Sequence, residues 1–212
     1  MTPDRWTFLI DYANEVLPDP DDQLAALRER AVAAGLPAIS VSSDVGRLLH
    51  ILTSLTAGRR ALEIGTLGGY SGIWIARGLG SDGRLVTVEI DDHHADFAEA
   101  EFAAAGVGDR VEVVRGAALD VLPGLAERFG PGGLDVVFID AVKSEYVDYL
   151  RIVKPLVASG GLLIADNVYG TGSGWIDEGY GTDEFNRIVA ADPDFVTTIV
   201  PIREGVLIAR RR

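Results

Sequence analysis

A chain of 212 residues with 48% apolar side chains can bury one sizeable core, and its net charge of −13 argues against nucleic acid as a partner. The absence of cysteine excludes disulfides, thiolate catalysis and zinc–thiolate sites, and no run nears the ~18 apolar residues of a membrane span. Charges interrupt the apolar N-terminus MTPDRWTFLIDYANEVL, so no signal peptide and a cytoplasmic setting are expected. In chain order, Trp6, Leu9, Ile10, Ala13, Val16 and Leu17 recur at helical spacing, and Leu24, Leu27 and Ala31 resume it after Pro18 and Pro20. Ser42, Ser43 and Asp44 offer caps for a helix carrying Val45, Leu48, Leu49, Leu52 and Leu55.

From Arg60 short apolar runs alternate with helical stretches. Strands are expected at 61–65, 84–90, 111–116, 134–140, 161–166, 195–200 and 205–210, with helices near 70–79, 92–105, 118–129 and 144–153. Such alternation, with runs apolar on both faces, implies a parallel sheet covered on both sides. The four residues Pro201–Glu204 suit a hairpin, so the last strand is expected antiparallel. The expectation is one α/β domain over 1–212: a helical extension (1–58) and a doubly wound, mostly parallel seven-stranded sheet (59–212).

Ligands of such sheets gather at the carboxyl ends of the strands. The first strand ends as Glu63-Ile-Gly65-Thr66-Leu67-Gly-Gly-Tyr70-Ser71. A dinucleotide fingerprint starting at Gly65 would need glycines where Leu67 and Tyr70 stand, so the loop suits a nucleoside without a pyrophosphate. The second strand ends at Glu89, a carboxylate placed to accept from ribose hydroxyls. Two later strands each end in an acid, Asp140 and Asp166, the latter followed by Asn167. If those strands are neighbours their ends lie about 4.8 Å apart. Two buried carboxylates so close repel unless a positive charge lies between them. Oxygen-only ligands suit Mg²⁺, and Mn²⁺ or Ca²⁺ after it, so Asp140, Asp166 and Asn167 are metal-ligand candidates as well as turn formers.

In their order, EIGTLGGYS, VTVEID, VVRGAALDVLPGL, LDVVFIDAVKSEY and LLIADNV resemble the metal-dependent O-methyltransferases that use S-adenosyl-L-methionine, the catechol and caffeoyl-CoA O-methyltransferase families. The likeness covers about residues 40–169 and implies a class I methyltransferase fold of Rossmann type. It implies that Gly65 and Thr66 lie against the cofactor, that Ser71 with Glu63 holds its methionine end, and that Glu89 takes the ribose. Ala118 would lie beside the adenine, and Val41 would touch the methionine moiety. The same likeness makes Asp140, Asp166 and Asn167 the metal ligands and Lys143 the catalytic lysine. A neighbouring divalent cation disfavours an ammonium, so an amine there can take a hydroxyl proton. Lys143 and Lys154 are the sole lysines among 19 basic residues, which sets Lys143 apart in an arginine-rich chain.

Two departures stand out. Related enzymes often read Asp-Ala-Asp-Lys where this chain has Asp140-Ala141-Val142-Lys143, so a carboxylate on the cofactor side is missing. The segment 169–181, with Trp175, Asp177, Glu178 and Tyr180, is expected to form a loop able to cover the acceptor. His93 and His94 are expected to face solvent, and His50 to pack in its helix or lie at the surface. No basic cluster offers itself to coenzyme A phosphates, which favours a small aromatic vicinal diol over a caffeoyl-CoA-type thioester. Rival readings are a nicotinamide-dependent oxidoreductase and a non-catalytic adenosine-ligand-binding protein. Dimerisation through the N-terminal helices is implied by the resemblance.

Overall fold

The computed structural model describes residues 3–18, 20–56, 58–171, 174–176 and 181–212. Three helices come first: α1 (Pro3–Val16), α2 (Asp22–Ala33) and α3 (Ser43–Leu55). Asp21 caps α2 by accepting the Leu24 N–H at 3.0 Å, and the stripe Leu24, Leu27 and Ala31 is its buried face. At α3 the expected cap takes another form. Ser42 Oγ donates to Asp44, whose carboxylate accepts the Val45 N–H, while the Ser42 hydroxyl bonds no backbone amide. Leu55, expected on the packed side, is exposed in the last turn.

The alternating part runs β1 (Arg60–Ile64), α4 (Tyr70–Gly78), β2 (Arg84–Glu89), α5 (Asp92–Ala104), β3 (Val111–Arg115), α6 (Ala118–Phe129), β4 (Leu134–Ile139), α7 (Tyr146–Val153) and β5 (Val157–Ala165). A short hairpin of β6 (Gly170–Thr171) and β7 (Gly174–Trp175) follows, then α8 (Thr182–Ala191), β8 (Phe195–Val200) and β9 (Val206–Arg211). Helix α8 begins one residue past the stretch 169–181 expected to be loop, where the sequence pattern predicts no helix. Its buried face is Thr182, Phe185, Asn186 and Val189, a helical repeat in which two of four members are polar. A pattern built on apolar residues alone misses it.

The seven long strands form one sheet in the order β3-β2-β1-β4-β5-β9-β8. The first five are parallel, and β9 is antiparallel to both of its neighbours. The last strand in the chain is therefore antiparallel as expected, although it lies one place in from the edge strand β8. Successive residues point to opposite faces, and both faces are apolar. Leu62, Ile64, Val137, Ile139, Leu163 and Ala165 pack with α6, α7 and α8. Ala61, Val136, Phe138, Leu162 and Ile164 pack with α2, α3, α4 and α5. Strand order reverses between β1 and β4, and the crevice beyond their carboxyl ends is where such a sheet takes a ligand.

Candidate active site

The ladder continues one residue past each central strand. Asp140 N–H donates to Ile64 O (2.9 Å) and Asp166 N–H to Ile139 O (3.0 Å), which sets Gly65, Asp140 and Asp166 in a row along the sheet's end. Gly65 has φ +100°, and a Cβ there would stand 2.2 Å from Asp140 O, so both backbone conformation and space demand glycine. Leu67 also adopts a left-handed conformation, with φ 48°.

The carboxylate of Glu89 organises this loop. Its Oε2 accepts from the N–H groups of Thr66 (3.2 Å) and Leu67 (2.7 Å), and its Oε1 accepts from Asp91 N–H (3.0 Å). The ribose candidate thus has a structural task that its position in the sequence did not reveal. His94 corrects the expectation that it faces solvent: it is half-buried, lines the same cavity, and holds Nδ1 3.6 Å from Glu89 Oε1. His93 is exposed, its Nε2 2.8 Å from Ala34 O, and His50 Nδ1 lies 3.3 Å from Trp74 O, as packing would have it.

A cavity of about 730 Å³ opens at this end of the sheet. Val41, Gly65, Thr66, Ser71, Glu89, Ala118, Asp140, Lys143 and Asn167 all line it, so most of the expected site converges. The exceptions, Glu63 and Asp166, are buried behind its wall. Glu63 accepts from Ser71 Oγ (2.6 Å) and Thr87 Oγ1 (2.7 Å), and Thr87 in turn meets Thr66 Oγ1 at 2.6 Å. Burial outweighs those two donors and pushes the Glu63 carboxyl up to about 7, with the charges of Asp140 and Glu89 adding to the rise.

Strands β4 and β5 are neighbours, pairing Ile139 with Ala165, so Asp140 and Asp166 leave the sheet side by side. Lys143 Nζ donates to Asp140 Oδ1 (2.6 Å) and to Tyr146 OH (2.7 Å). Asp166 is 2% exposed, and its Oδ1 has no hydrogen-bond partner. Burial first, and the charge of Asp140 second, push its carboxyl up to about 7. Asn167 takes φ 56°, a conformation asparagine tolerates better than most residues, so a turn does begin here. No group of three His, Cys, Asp or Glu suited to a metal occurs among the described residues; the oxygen set is two carboxylates and the Asn167 carboxamide.

Farther along, Thr171 reaches the cavity, while Trp175 on β7 is 45% exposed. Asp177, Glu178 and Tyr180 of the expected covering loop lie outside the described residues. Val142 and Ile39 present exposed aliphatic side chains to the cavity.

The profile of the O-methyltransferase family matches residues 15–212. The chain belongs to that family. A catechol O-methyltransferase of Niastella koreensis is 39% identical over 195 residues, covering 89% of this chain and 87% of its own. A catechol O-methyltransferase of Mycobacterium tuberculosis H37Rv is 46% identical over 157 residues, 74% of this chain and 70% of its own. The O-methyltransferase from Bacillus cereus, solved in complex with SAH, has a TM-score of 0.88 at 36% identity and 99% coverage of both chains. The doubly wound sheet of this O-methyltransferase is accordingly the class I methyltransferase fold.

Proposed function

We propose that this O-methyltransferase moves the methyl group of S-adenosylmethionine to one hydroxyl of a small aromatic vicinal diol, with a divalent cation, Mg²⁺ in the first instance, held beside the acceptor. One observation carries the reading. At the β4–β5 junction Asp140, Asn167 and Lys143 line the same cavity as the Gly65 loop and Glu89, with Asp166 buried directly beside Asp140. The relatives named for catechol and the SAH-bound neighbour support the same assignment.

The residues fit a cation. A buried carboxylate oxygen without a donor, beside a second acid that repels it, is what a hard ion relieves. Asp140, Asp166 and Asn167 would hold it, and when bound it would acidify and orient two adjacent hydroxyls. Every other task falls to the chain. Glu89 receives the ribose of the cofactor, Gly65 and Thr66 lie against it, Ser71 and Glu63 with Val41 hold its methionine end, and Ala118 lies beside the adenine. Lys143 takes the proton of the reacting hydroxyl, whose electron pair stays on oxygen and attacks the sulfonium methyl; the thioether leaves. Val142 and Ile39 suit the face of an aromatic ring.

The test joins calorimetric titration of S-adenosylmethionine to methyl-transfer assays on a panel of catechols, with Mg²⁺ and with chelator. Cofactor binding with chelator-sensitive transfer is expected. Asp166→Ala should abolish transfer and leave cofactor binding mostly intact. Transfer indifferent to chelator would reduce Asp166 and Asn167 to turn formers.

A further inference from the structure

The hydroxyl of Tyr146 sits where three elements of the site meet. It accepts from Lys143 Nζ at 2.7 Å, and it lies 3.0 Å from Asp166 O and 3.2 Å from Ile139 O. Ile139 O already receives the Asp166 N–H. The tyrosine proton is therefore best used on Asp166 O, the nearer carbonyl. Its ring is fully buried, edge-on to Phe185 of α8 at 5.3 Å, so the oxygen has no freedom to follow the lysine.

Lys143 is otherwise a long, flexible side chain on the short turn Lys143–Glu145 before α7. Beyond Cε its nitrogen has three tetrahedral positions for partners. Asp140 Oδ1 and Tyr146 OH take two of them. The third is left for a group in the cavity that Lys143 lines.

From this geometry we infer that Tyr146 is the positioning residue of the reaction: its oxygen fixes the Lys143 nitrogen so that its remaining position faces the acceptor hydroxyl. The inference rests on the reading of Lys143 as proton acceptor. It assigns to Tyr146 no contact with substrate, cofactor or metal.

A double-mutant cycle tests it on the full-length enzyme. Tyr146→Phe removes one oxygen and keeps the ring. It is expected to lower kcat by about tenfold or more, with acceptor KM and S-adenosylmethionine affinity held within about twofold. In a Lys143→Met background the same change should lower the residual rate by less than about twofold, because a residue acting through the lysine has nothing left to position. A purely structural tyrosine would cost the same factor in both backgrounds, and that result overturns the inference, as does a Tyr146→Phe enzyme of unchanged kcat. A Lys143→Met enzyme of unchanged rate overturns the lysine reading itself, and this inference with it.

A second readout needs no turnover. With only two lysines in the chain, ¹⁵N-lysine labelling gives two Nζ signals. Tyr146→Phe should move that of Lys143 and leave that of Lys154, which is bound to Asp192 and Asp194. Two unmoved signals would count against the contact. If the variant does not fold, a cross-peak between the Lys143 side chain and the Tyr146 ring in the wild-type protein is the expected result, and its absence the refuting one.

Discussion

Glu63 has been stripped of water and given two hydroxyl donors in exchange, and the exchange is incomplete. Its ordinary value of 4.5 rises to about 7 in the fold. Between those values the unfolded chain has released the proton while the folded chain keeps it. Folding then binds protons, so stability falls as pH rises through that window, by roughly 3 kcal/mol at its upper end. Glu63→Gln removes the titration and leaves a carboxamide oxygen for Ser71 and Thr87. Urea unfolding followed from pH 4.5 to 7.5 should show the wild type losing stability relative to this variant. Curves that stay parallel would mean that Glu63 ionises in the fold as it does in water. The same buried network shows what residue patterns disclose and what they hide. Glu63 and Ser71 could be named from a glycine loop and a resemblance. Thr87, which meets both Glu63 and Thr66, sits mid-strand, where a threonine reads as an ordinary strand former.

Among the elements, α8 has the least evident sequence signal and one of the more exacting tasks. Thr182 Oγ1 (2.9 Å) and Asn186 Nδ2 (2.7 Å) both donate to Val168 O, one residue past the left-handed Asn167. Val168 is fully buried, so that carbonyl depends on these two donors. Removing either one leaves the other. Asn186→Ala or Thr182→Val alone should therefore cost about 1 kcal/mol, a typical net hydrogen bond. The double variant should exceed the sum by about 1–2 kcal/mol, because it alone orphans the carbonyl. Additive losses in urea unfolding would show that the clamp is not the carbonyl's support. The strands were legible because a doubly covered sheet needs apolar runs on both faces and the chain supplies them between glycine turns. The acids were legible because they close such runs. The α8 clamp was not, because its inward face is half polar, and its partner is a backbone carbonyl that no side-chain pattern announces.

At the scale of the whole molecule, a net charge of −13 means that any added salt eases self-repulsion, so a rise in melting temperature with Mg²⁺ proves nothing alone. The β4–β5 junction supplies a sharper criterion. In the metal-free protein Asp166 is a liability, its carboxyl pushed from 3.8 to about 7 by burial and by Asp140. The folded form therefore holds the proton longer than the unfolded form, and stability falls as pH rises through that interval. Asp166→Asn removes the titrating group, so the metal-free variant should melt higher than the wild type at pH 7.5. A site-bound cation reverses the ranking. It binds the folded protein alone, and at about 100 times its Kd it adds roughly 2.7 kcal/mol, worth about 5–10 °C in a chain of this size. Wild type should gain that shift from Mg²⁺ over NaCl of matched ionic strength, and Asp166→Asn should gain none of it. The two melting temperatures are thus expected to change order when Mg²⁺ replaces sodium. Equal gains in both proteins would mean that the cation acts on the molecule's overall charge, and that Asp166 holds no metal.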